Sequence, residues 1–155
     1  MKVKKVERVA IAVRDLEAAR EFFERVLGAR FHAVEDVKDQ GFSYQPFTVA
    51  GFTLELLCPY REDSVIARFL AERGPGVHHV SFEVDDLDRA IRELAGDGVK
   101  AVHRIEYPKG VTFEGFRWRE AFVHPKLAQG VLLHVCEKKK VRARRAAARK
   151  RRPAR

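Results

Sequence analysis

Between Glu7 and Val13 polar and apolar positions are set so that Val9, Ile11 and Val13 share one face of a strand and Arg8, Ala10 and Ala12 the other. The period then changes. Leu16, Ala19, Phe23 and Val26 recur at helical spacing, so the spacing predicts a helix that buries them. Asp15 stands where an N-cap carboxylate accepts first-turn N–H groups, and Gly28 suits the stop. The same succession returns at an offset of 71 residues. Val80, Phe82 and Val84 alternate with His79, Ser81 and Glu83, Asp86 is the cap, and Leu87, Ala90, Ile91 and Leu94 line a second helix ending near Gly98. Five pairs are identical, from Val9 with Val80 to Ala19 with Ala90, and Arg8 stands in the place of His79, which makes chance similarity a poor explanation.

Strand-like segments follow each helix, at about 30–37, 42–49 and 52–58, and again at about 99–106, 116–123 and 130–137. The closing segments also agree, Leu54-Glu55-Leu56 with Leu133-His134-Val135. The pattern predicts an α+β domain over residues 1–137, built from two βαβββ modules at about 6–58 and 77–137. A linker helix at about 64–73, with Val65, Ile66, Phe69 and Leu70 on one side, joins them before Gly74-Pro75-Gly76. Two such modules can pair so that their sheets curve around one shared cavity.

Charge changes the picture at one end only. The formal net charge is +9, but residues 138–155 carry 11 of the 31 Lys and Arg and no acid, which leaves 20 basic against 22 acidic residues before them. The body is slightly acidic, and the run of like charges reads as a disordered basic tail. Non-specific attraction of the tail to RNA, DNA or anionic lipid is the partner it suggests. No aromatic residue stands among residues 138–155 to stack on bases. The chain has no apolar run of the ~20 residues a membrane span needs and no secretory leader pattern, so a cytoplasmic location is expected. Cys58 and Cys136 read as two thiols in strands rather than a disulfide framework. No Asn, three Gln and one Met beside 34% charged residues suggest a thermophilic source.

Candidate chemistry lies on the inward faces. Arg8, Glu55, His79 and His134 come from equivalent strands of the two halves, and Glu55 and His134 interrupt apolar runs. A buried charge is costly unless paired or metal-bound. Glu55, His79 and His134 would make a two-His, one-carboxylate set suited to a divalent first-row metal such as Co, Mn, Zn, Ni or Fe. Arg8 cannot join it, because guanidinium stays protonated. The competing reading is an Arg8–Glu55 ion pair beside two hydrogen-bonded histidines, with no metal. His78 is expected to point away from His79, and His32, His103 and His124 to be structural or exposed.

These residues resemble the vicinal oxygen chelate superfamily (glyoxalases, bleomycin resistance proteins and extradiol dioxygenases), and within it the methylmalonyl-CoA epimerases. The resemblance covers about residues 6–137 and is carried by 9–29, Asp39-Gln40-Gly41, 54–59, 63–91, 124–126 and 130–135. It implies a divalent metal held by one polar residue from each of four strands. His79 and Glu55 fall on two of those positions, while Arg8 stands where His is usual and His134 where Glu is usual. It further implies Asp39 as one acid–base group with His134 (or Glu55) as the other, Arg8 neutralising the enolate or the carboxylate, Arg119 meeting the carboxylate or phosphate of a small-molecule substrate such as an acyl-CoA, and a homodimer. The activity so implied is epimerisation of a carbon lying between a thioester and a carboxylate. Two other readings stay open: a metal-free small-molecule-binding protein of the resistance type, which Arg8 favours, and a dioxygenase-type member.

Overall fold

The computed structural model describes residues 1–141. Strand β1 (Val3–Ala12) leads through Asp15 into helix α1 (Leu16–Leu27), followed by β2 (Arg30–Phe31), β3 (Glu35–Val37), β4 (Phe42–Val49) and β5 (Phe52–Pro59). Helix α2 (Val65–Arg73) precedes β6 (Gly76–Val84), helix α3 (Leu87–Gly96), β7 (Ala101–Glu106), β8 (Phe116–Val123) and β9 (Leu133–Lys140). The predicted caps form as expected. Asp15 accepts from the Ala18 amide at 3.0 Å and Asp86 from the Arg89 amide at 2.9 Å. Ser64 does the same for α2 through the Ala67 amide. Each cap contributes about 1 kcal/mol by satisfying an otherwise unpaired donor.

All nine strands join one mixed, open sheet in the order β2-β4-β5-β1-β6-β9-β8-β7, with β3 on β4. The strand expected at 30–37 is divided into β2 and β3, which both pair with β4. At the centre β1 and β6 run antiparallel, and each has a parallel partner on its outer side, β5 for β1 and β9 for β6. Helices α1 and α3 cover one side of the sheet, one at each end. Leu87, Ala90 and Leu94 of α3 are buried against Ala121, Val123 and Val135. Ile11, Val13 and Phe47 receive Leu16, Ala19 and Phe23 of α1. Val26, expected in that stripe, is half exposed, because α1 contacts the sheet only along its first two turns. The other face of β1 packs Ala10 and Ala12 against Leu57, Ile66, Leu70 and Tyr44.

The expected start of the basic tail needs correction. Strand β9 continues through Lys140, paired to β8 along its whole length. Lys138 is held there because its ammonium bonds Glu7 and lies 4.8 Å from the Phe116 ring centroid and 5.2 Å from that of Trp118. The remainder of the expected tail, residues 142–155, lies outside the described residues. Cys58 and Cys136 are free thiols, Cys136 buried and Cys58 half-buried. Among the described residues no helix is long and apolar enough to cross a membrane.

Candidate active site

The concave side of the sheet holds an open cavity lined from both halves of the chain, with Arg8, Glu55, His78, His79, Glu120 and His134 as its polar walls. Apolar surface comes from Phe42, Leu57, Ile66, Phe113, Trp118 and Phe122. A mostly apolar cleft with a few convergent polar groups is the usual form of a small-molecule site.

Arg8 sits at the centre. Its side chain is 4% exposed. Nη1 donates to Glu55 Oε2 at 2.9 Å and to Glu114 Oε1 at 2.9 Å, while Nη2 donates to Glu114 Oε2 at 3.1 Å and Glu7 Oε1 at 3.3 Å. The guanidinium also lies 5.0 Å from the Trp118 ring centroid. Burial opposes its charge, but Glu55 and Glu114 outweigh burial and keep it protonated beyond the ordinary arginine value. Burial likewise works against the Glu7 carboxylate, yet Lys138, Lys5 and Arg8 outweigh it and bring its pKa to about 2.

Two Glu–His pairs flank the arginine. In one, Glu120 Oε2 faces His134 Nε2 at 2.9 Å and Oε1 accepts from the Tyr107 hydroxyl at 2.8 Å. A carboxylate only accepts, so Nε2 carries a proton; Nδ1 stands 2.7 Å from Ser81 Oγ. Burial raises the Glu120 pKa, but His134 and Tyr107 more than offset it, so the carboxyl lies below its ordinary value. In the other pair Glu55 Oε1 lies 3.6 Å from His79 Nε2, long for a hydrogen bond. Burial pushes the Glu55 carboxyl up, and the pull of Arg8 offsets only part of that. His79 is held well below the usual histidine value by burial and by neighbouring His134, His78 and Arg8, so it is neutral at pH 7. The two imidazoles stand 5.1 Å apart, centroid to centroid.

Several expectations about individual residues change. His78 lines the cavity beside His79, with Nδ1 to Nδ1 at 2.8 Å. The cause is a bulge: Ala10 faces His79 but Ile11 faces Val77, so His78 is an extra residue and strict alternation fails there. Arg119 does not reach the cavity. It lies on the helix side of β8 and bonds Asp88 at 2.6 Å and Glu137 at 3.1 Å. Its neighbours Trp118, Glu120 and Phe122 take the cavity face. Alternation along β8 was the signal that could have found Glu120. Asp39 is exposed in its turn and does not line the cavity, whereas Gln40 does, 3.4 Å from the Tyr107 hydroxyl. The turn is fixed by Gly41 at φ +72°, where a Cβ would lie 2.8 Å from Arg61 Cβ. Glu114 gave no sequence signal, because it reaches Arg8 from the loop between β7 and β8.

The expected metal set does not fit a divalent ion. Glu55, His79 and His134 do face one cavity, but both His134 nitrogens are engaged by Ser81 and Glu120. Glu55 is bound to the Arg8 cation, whose Nη1 stands 2.9 Å from its Oε2. Ligation needs free lone pairs converging on one point, and no such group of three or more His, Cys, Asp or Glu forms among the described residues. The arrangement is the Arg8–Glu55 ion pair with two hydrogen-bonded histidines.

Comparison with known proteins places this geometry in a family. Residues 7–122 match the model described as the Glyoxalase/Bleomycin resistance protein/Dioxygenase superfamily. The chain is 35% identical over 133 residues to the ethylmalonyl-CoA/methylmalonyl-CoA epimerase of Cereibacter sphaeroides, covering 84% of this chain and 96% of that protein. The crystal structure of methylmalonyl-CoA epimerase from Mycobacterium tuberculosis superposes with a TM-score of 0.75 at 36% identity, covering 87% of this chain and 88% of that one. A Streptomyces coelicolor methylmalonyl-CoA epimerase variant in complex with 2-nitronate-propionyl-CoA gives 0.73 at 30% identity, covering 88% and 98%. The chain belongs to the glyoxalase/bleomycin resistance protein/dioxygenase superfamily, and its similarity to these relatives is to methylmalonyl-CoA epimerases.

Proposed function

We propose that this protein is an isomerase that epimerises an acyl-CoA at a carbon lying between a thioester and a carboxylate, and that it does so with an arginine at the centre of the site. The observation that carries the reading is a buried, permanently charged guanidinium between two Glu–His pairs in an apolar cavity. Similarity to epimerases, one of them bound to a propionyl-CoA nitronate, supports the substrate class. The two halves read as paired βαβββ units, supported by the matching parallel pairs β1–β5 and β6–β9.

The carbon acid is weak, so the barrier lies in the charge that develops on oxygen as the proton leaves. A fixed cation in a water-poor site stabilises that charge without reorganisation. Arg8 is such a cation. Glu120, held ionised by His134 and Tyr107, removes the proton from one face. In the free protein Glu55 is the ion-pair partner of Arg8; once substrate draws on that cation, burial raises the Glu55 carboxyl further, and the Glu55–His79 pair takes up the proton that it returns to the opposite face. Environments that push two carboxyls in opposite directions are the usual mark of an acid–base couple. One C–H bond breaks and one forms, and in the reverse direction the roles exchange. His134 serves by orienting and sharing the proton of Glu120. Glu120 takes the part that the resemblance assigned to Asp39.

The test is interconversion of a single methylmalonyl-CoA epimer, followed by loss of optical purity, with propionyl-CoA as the control lacking the second carboxylate. Racemisation of methylmalonyl-CoA that is abolished in Glu120→Gln supports the reading. Tight binding of the acyl-CoA without interconversion would favour the binding-protein reading, for which a guanidinium already satisfied by carboxylates speaks.

A further inference from the structure

Arg8 faces more negative charge than one guanidinium needs. Glu7, Glu55 and Glu114 all accept from it. Glu7 is balanced independently, by Lys5 at 2.8 Å and by Lys138. Glu55 is buried on β5 and cannot leave without unfolding the strand. Glu114 differs from both. It belongs to the loop of residues 107–115 between β7 and β8, and its side chain is 29% exposed. It takes both ends of the guanidinium fork, Oε1 on Nη1 and Oε2 on Nη2, the geometry in which arginine holds a free carboxylate. Its backbone stands in the left-handed region at φ +53°, which is unfavourable for a non-glycine residue. The arginine Nε is buried with no hydrogen-bond partner among the described residues.

The geometry points to the Arg8 fork as the docking site for a ligand carboxylate, with Glu114 as an internal carboxylate that fills it and is displaced when the ligand binds. For an acyl-CoA this rests on the function proposed above, and it names the carboxylate, rather than the thioester, as the group that Arg8 holds at the encounter. The loop can release it at modest loss. Beyond the fork, Glu114 is held by its amide, which donates to Glu35 Oε1 at 3.1 Å, and by its place in a turn that Phe113 and Phe116 close with two backbone hydrogen bonds of 2.9 Å. Phe113 next to it packs on Tyr44 and Tyr107 (ring centroids 6.0 and 4.7 Å), so displacement of Glu114 would also shift the apolar wall of the cavity.

Calorimetric titration of the full chain with malonate tests this. An internal competitor lowers the apparent affinity of the ligand by the fraction of sites it occupies. Glu114→Gln keeps the size of the side chain and removes its charge, and should tighten malonate binding by roughly ten-fold. Glu114→Ala should do at least as much, and Arg8→Lys should weaken it by at least the same factor. Backbone amides in 107–115 should exchange faster when malonate is added to the wild type. Unchanged or weaker malonate binding in both Glu114 variants, with native circular dichroism, overturns the inference, as does absence of malonate binding to every protein tested. Malonate binding of the expected pattern without epimerisation would keep the carboxylate site and remove the isomerase reading. Epimerisation with Glu114 variants indistinguishable from wild type would do the reverse.

Discussion

Replacing Arg8 by Leu should destabilise the fold by about 3–5 kcal/mol, the usual result of removing one partner from a buried ion pair. The magnitude follows from what is left behind. Glu55, with a side chain 9% exposed, keeps only His79 at 3.6 Å. Glu7 keeps Lys5 and Lys138, and Glu114 can turn to water, so neither adds much. The stacking of the guanidinium on Trp118 is lost as well, worth about 1 kcal/mol. Because Arg8 holds the Glu55 carboxyl down against burial, its removal raises that pKa further. A carboxyl whose folded pKa exceeds its unfolded value weakens the fold at high pH and is relieved as pH falls through the folded value. The cost should therefore shrink on acidification. The double variant Arg8→Leu/Glu55→Leu should recover most of the stability, since apolar replacement of a whole buried pair is often neutral. Urea unfolding followed by the fluorescence of Trp118, the only tryptophan, reads all three. With a slope of about 2 kcal/mol per molar, the single variant should unfold about 2 M earlier. A loss below about 1 kcal/mol, or a double variant no more stable than the single, would refute the view that Arg8 chiefly neutralises Glu55.

Acid should weaken the protein before its carboxylates titrate. Burial holds His78 at about 4 and His79 well below the usual histidine value, so the unfolded chain binds more protons below pH 6.5. Unfolding free energy should fall as pH drops from 7 towards 4, by up to ~2.7 kcal/mol per pH unit for two protons, and a flat profile over pH 7–5 would contradict the burial of these rings. Arg119→Gln should leave KM for acyl-CoA unchanged and cost about 1 kcal/mol of stability through Asp88 and Glu137. A ten-fold rise in KM would place Arg119 in contact with substrate. Removing residues 142–155 takes away eight positive charges and should abolish salt-dependent polyanion binding without moving the unfolding transition of residues 1–141.

Period and capping were enough to read most of the architecture from the chain. Alternation at 9–13 and 80–84, the caps Asp15 and Asp86, and the helical stripe of α3 all appear as expected, because each is decided within a few residues. Burial of Arg8, Glu55, His79 and His134 on one cavity was also legible, since their strands are equivalent and their neighbours apolar. What was not legible depends on distant contacts. The bulge at His78 is set by pairing with β1, and local alternation contains no sign of it. Glu114 meets Arg8 across 106 positions from an irregular loop. Resemblance points to Arg119 on β8, whereas Trp118 and Phe122, on either side of Glu120, mark the inward face of that strand. The metal set depends on contacts that the sequence does not show: both His134 nitrogens are engaged by Ser81 and Glu120, and Glu55 is bound to the Arg8 cation.

The central claim is that Arg8 and its two Glu–His pairs move a proton at an acidic carbon without a divalent ion. Full-length protein, stripped with chelator and shown metal-free by elemental analysis, should be incubated with methylmalonyl-CoA in D₂O and exchange at C2 followed by NMR. Exchange at the same rate before and after stripping, slowed at least about 100-fold in Glu120→Gln, is the expected result. Exchange that vanishes on stripping and returns with Co²⁺ would contradict the account and restore Glu55, His79 and His134 as ligands.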